Sequence, residues 1–139
     1  MKAKYFVVLF AVAGYIRAQQ PGEDPLREYL FPPELVIENQ QAIGLTGDQT
    51  ILVKMQMAEA MLQFMRLQGK LKDEMGKMVS LLKQPKVDEQ QLLAELDKVL
   101  EAEREIKRTQ IQLLIRIRNN LTPEQQNKLR ELQTKPGAK

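Results

Sequence analysis

Residues 45–83 read LTGDQTILVKMQMAEAMLQFMRLQGKLKDEMGKMVSLLK, and this stretch decides the fold. Thr46 stands where a helix N-cap belongs, and Gln49, three residues on, reaches back to the Thr46 backbone N–H. That reciprocal arrangement is a capping box. Behind it, Met57, Met61, Phe64, Gln68, Leu71, Met75, Met78 and Leu82 alternate steps of four and three, the period of a packing seam. A second apolar stripe, Ile51, Met55, Ala58, Leu62 and Met65, covers a neighbouring face of the first half. Pro85 stops the run. The expected product is one helix of about 36 residues, roughly 54 Å long.

The segments on either side complete the plan. After the break at Gln84-Pro85-Lys86, Asp88 and Gln91 form another cap signal. Leu96, Val99, Glu103, Ile106, Gln110, Leu113 and Ile117 then repeat the three-four spacing, with Glu103 and Gln110 interrupting it. The helix is expected to end near Asn119-Asn120, where Arg116 and Arg118 suit the negative end of its dipole. Two long helices joined by so short a break must fold back as an antiparallel hairpin. Leu121-Thr122-Pro123-Glu124-Gln125 then opens a last short helix, with Leu129 and Leu132 as its apolar pair. Upstream, Pro32-Pro33 opens another short helix with Glu34 in its first turn. Leu35, Ile37 and Ile43 give that helix apolar surface, and Gly44 offers a stop. No sustained period-two alternation competes, so the fold class is all-α: a long antiparallel helical hairpin plus two short helices.

The N-terminal segment sets the compartment. Residues 1–18 read MKAKYFVVLFAVAGYIRA, with Lys2 and Lys4 ahead of an apolar run from Tyr5 to Ile16 and a small residue at Ala18. This is the anatomy of a secretory signal peptide cleaved near Ala18, since a membrane span needs about 20 apolar residues. Residues 19–31 carry prolines, a glycine and charges, and read as a flexible arm. The helical domain is therefore assigned to 32–134 and a tail to 135–139.

Composition narrows the chemistry. There is no His and no Cys, which excludes disulfides, thiol nucleophiles and any zinc site built on imidazole or thiolate. A serine relay lacks its base. Asp97, Glu101 and Glu105 fall on one helix face, but a bundle di-metal site also uses a Glu-x-x-His motif, which needs His. The chain is read as no enzyme, with no cofactor and no metal. The formal charge of +3 suggests an acidic partner until the export segment is removed. Losing Lys2, Lys4 and Arg17 takes 21 basic residues to 18, equal to the 18 acidic ones, and the case for nucleic acid disappears.

Two copies of Leu-Thr-x-x-Gln, Leu45/Thr46/Gln49 and Leu121/Thr122/Gln125, bracket the long helices. Together with the export signal, they make the chain resemble the LTXXQ-motif family of Spy and CpxP over roughly residues 35–132. The resemblance implies a thin four-helix cradle, a homodimer formed through the long helices, and a periplasmic location. It also implies ATP-independent chaperone activity, or else sensing of heavy metals or envelope stress through a membrane signalling partner. The metal-sensing branch draws on His, so its absence favours the chaperone. Met55, Met57, Met61, Met65, Met75 and Met78 still offer soft thioethers suited to Cu(I), although core packing is the commoner use of Met. A one-layer hairpin cannot cover both of its apolar stripes, and Met-rich surfaces bind promiscuously. The expected client-binding surface is Met57, Met61, Met65, Arg66, Lys70 and Lys72, with unfolded exported proteins as partners.

Overall fold

The computed structural model describes residues 25–134, and the proposed signal peptide, the first half of the arm and the tail lie outside them. Four helices follow in order: α1 (Pro33–Glu38), α2 (Gly47–Leu82), α3 (Glu89–Asn119) and α4 (Pro123–Thr134). There is no strand among the described residues. The expected all-α class is observed, with α2 and α3 packed along each other as a hairpin. Among the described residues, no helix is long and apolar enough to cross a membrane.

The caps form as the residues dictate. Thr46 Oγ1 accepts from the Gln49 backbone N–H at 3.1 Å, and Gln49 Oε1 accepts from the Thr46 N–H at 3.0 Å. At α4 the same exchange joins Thr122 and Gln125 at 3.2 and 2.9 Å. At α3 only half of the box appears: Asp88 accepts from the Gln91 N–H at 3.1 Å. Helix α1 stops at Glu38, earlier than Gly44, because Asn39 turns its side chain back to the Leu35 carbonyl at 2.8 Å. Gly44 instead takes a left-handed turn, φ +68°, just before the first Leu-Thr-x-x-Gln copy. A side chain at that φ would be strained even though nothing crowds it.

The core gathers at one end of the hairpin, here called the base. Phe31, Val36, Ile43, Val53, Ile117, Leu121 and Leu129 are buried together there. They bring α1, α4, the start of α2 and the end of α3 into one cluster. Phe31, at the end of the assigned arm, is completely buried, so that end of the arm is anchored. A side chain of this kind stabilises the fold by about 1.5–3 kcal/mol on burial.

Along the hairpin, the row of α2 against α3 differs from the expected seam. The buried residues are Val53, Ala60, Leu67 and Glu74, every seventh position, while Met61, Met75 and Leu82 are exposed. Apolar residues occupy nearly every face of α2, so period alone fits more than one row. Val53 and Ala60 are small enough to sit in the buried row without holding the two helices apart. On α3, Glu95, Val99, Ala102 and Ile117 are buried, and Gln110 lies on the exposed side.

Candidate functional site

Helix α2 is apolar on two opposed faces. Ile51, Met55, Ala58, Leu62 and Met65 each lie two positions from a member of the Val53/Ala60/Leu67 row. Two positions are about 200° of helical rotation, so this stripe points away from α3. Ile51, Met55, Leu62 and Met65 are 59–70% exposed, as a second stripe on a one-layer hairpin must be. Met61, at 61%, flanks it.

The expected surface residues divide. Met65, Arg66 and Lys70 meet along one shallow groove of about 760 Å³, with Gly69, Asp73, Glu74 and Lys77. Lys72 continues the outer row two positions before Glu74 and is exposed. Met57 does not join them: it is half-buried and packs on the core of the base.

The Leu-Thr-x-x-Gln copies are brought together at the base, and their pairing is reciprocal. Gln49 Nε2 donates to Gln125 Oε1 at 2.9 Å, and Gln125 Nε2 donates to Gln49 Oε1 at 2.9 Å. The second amide hydrogen of Gln49 goes to the Asn120 carbonyl at 2.7 Å, and that of Gln125 to the Gly44 carbonyl at 3.0 Å. Because each Oε1 also accepts its own threonine N–H, both amides have every donor used. Leu121 is buried and Leu45 packs against the same core. Each copy thus divides its labour: Leu fills the core, Thr caps a helix, and Gln joins the other copy.

The residues most easily overlooked are acidic. Glu74 and Glu95 lie on the facing buried rows of α2 and α3, only 9% and 7% exposed. Lys77 Nζ sits 3.2 Å from both oxygens of Glu74, and Lys98 Nζ sits 3.4 Å from Glu95 Oε2. Glu95 Oε1 is buried without a partner. The Glu74 carboxyl is held below its ordinary value, chiefly through the neighbouring Glu95 side chain and also by Lys77 and Lys98, while burial opposes them. A lysine three residues on makes each glutamate look like an ordinary surface pair. Their signal was register, because 74 continues the 53, 60, 67 series. By contrast, Glu101 bonds Arg104, which raises the guanidinium, on a solvated face.

The family described as heavy-metal resistance matches residues 5–128. The chain belongs to this family. It forms part of the Spy- and CpxP-like LTXXQ clan of periplasmic proteins, as the two motif copies imply. No curated protein and no solved structure matches. A heavy-metal resistance protein invites a test of its donors. This family member has no His and no Cys, and among the described residues no three carboxylates gather to hold an ion. The donor set does not fit a borderline metal such as zinc or nickel.

Proposed function

We propose that the chain is an exported, ATP-independent periplasmic chaperone of the holdase kind. Its working surface is the outer face of α2, and the observation that carries this reading is the exposed stripe of Ile51, Met55, Leu62 and Met65. A stripe of this length facing water marks an interaction surface. Flexible thioethers let it fit many sequences, while Arg66 and Lys70 beside Met65 attract acidic segments of an unfolded chain. A second copy shares the long-helix surface to form a homodimer. The protein acts by binding and not by catalysis. The purified mature chain is expected to slow aggregation of an unfolded client near a one-to-one ratio, and inability to do so sinks the reading. Met61→Ser with Met65→Ser should lower that protection while changing stability by no more than about 0.5 kcal/mol. If the dimer dissociates first, the stripe is subunit interface and not client surface.

The family match favours a second reading, a heavy-metal or envelope-stress sensor that docks on a membrane signalling partner. Loss of metal tolerance on deletion, with no effect on aggregation in vitro, selects it over the chaperone.

A further inference from the structure

Helix α2 carries the sulfur of the molecule. Apart from Met1, every methionine of the chain (Met55, Met57, Met61, Met65, Met75 and Met78) lies on this one helix. The fold sorts them by access. Met55, Met61 and Met65 are 63%, 61% and 62% exposed, on or beside the outer stripe, and Met75 is 45% exposed. Met57 is half-buried against the core of the base. Met78 is half-buried too, one turn beyond the buried Glu74 and so on the side that packs on α3. The chain has no Cys, so no thiol competes with these thioethers for a two-electron oxidant, and there is no His or Trp either.

We propose that Met55, Met61 and Met65 are sites of oxidation by a hypohalous acid, and that their conversion to sulfoxides switches the outer face of α2 from apolar to polar. The consequence for clients rests on the chaperone reading, and the modification itself does not. With hypochlorous acid, each sulfur gives up two electrons and gains one oxygen. Chlorine takes the two electrons and leaves as chloride, and the proton passes to water. A sulfoxide is polar and accepts hydrogen bonds, so burying it against an apolar segment is costly. Of the stripe and its flank, only Ile51, Leu62 and the small Ala58 then stay apolar. The three side chains are mostly exposed and stand outside the buried row of Val53, Ala60 and Leu67 and the cluster at the base. Oxidation at these positions therefore changes the face and leaves the hairpin folded. Sulfoxide reductases return the thioether, so the switch is reversible.

Stepwise addition of hypochlorous acid to the purified mature chain, followed by peptide mapping by mass, is the test. Met55, Met61 and Met65 should each gain an oxygen severalfold faster than Met57 and Met78, with Met75 between them. Equal rates at all of these positions, or earlier oxidation of Met57 and Met78, overturn the assignment. At the dose that modifies the three, helicity and the unfolding midpoint should hold, and a loss of helicity counts against the proposal. Client protection should fall severalfold at that dose and return on treatment with the reductases for both sulfoxide epimers. Full protection by a fully modified chain overturns the switch. Met55→Leu with Met61→Leu and Met65→Leu supplies the control, measured against its own untreated state. This variant should lose little protection at the same dose, and a loss as large as that of the wild type overturns the switch as well. A chain that protects no client before treatment fails the chaperone reading, whereas the order of oxidation is read without a client, so the two failures are distinct.

Discussion

The two ends of the hairpin handle buried polar groups in opposite ways. At the base, Gln49 and Gln125 answer each other donor for acceptor, inside a cluster built from all four helices. At the distal end, two glutamates lie on facing rows with one oxygen unanswered, and only α2 and α3 meet there. Neutral amides can satisfy one another completely because each carries both donors and an acceptor. Carboxylates carry only acceptors and need a proton or a cation from outside the pair. One end is therefore indifferent to pH and the other depends on it.

The largest expected effect strikes the base. Leu129→Ala, at a fully buried position, should cost about 2–5 kcal/mol in denaturant unfolding. A loss under about 1 kcal/mol would mean that α4 is peripheral to the core. Next is the amide pair: Gln125→Ala strips a bond from the Thr122 N–H, the Gly44 carbonyl and Gln49 at once, for roughly 2–3 kcal/mol. A cycle with Gln49→Ala should show coupling of about 1 kcal/mol or more, and strict additivity would break the claim that the copies act as one unit. The smallest effect sharpens the other end. Gly76 lies mid-helix on the exposed side of α2, with nothing within 4 Å of an added Cβ. Gly76→Ala should raise stability by about 0.5–1 kcal/mol, visible as slower exchange in the distal arm alone. If it also weakened self-association, the outer face would need that gap.

Much of this was legible from local chemistry. Thr46–Gln49 and Thr122–Gln125 announced themselves because a cap needs only three residues of context, and helix boundaries followed from them. The exposed outer stripe was legible because its members share one period. Three features were not. Nothing in the chain marks Gln49 and Gln125 as partners, since they lie 76 positions apart and each already has a local role. Phe31 closes a segment whose prolines, glycine and charges signal an arm, yet it fills the core. The buried row of α2 escaped because Met61 and Met75 are as apolar as Val53 and Ala60, so the choice between rows rests on α3.

The sevenfold spacing of Val53, Ala60 and Leu67 also leaves the seam nearly indifferent to sliding. Shifting α2 by one heptad along α3 would move it about 10 Å and return a similar set of side chains to similar places. The two glutamines have no such equivalents. A slipped hairpin would leave Gln49 and Gln125 each opposite nothing that answers it, so the amide pair, together with Glu74 and the cluster at the base, works as an index mark that the repeating apolar row does not supply.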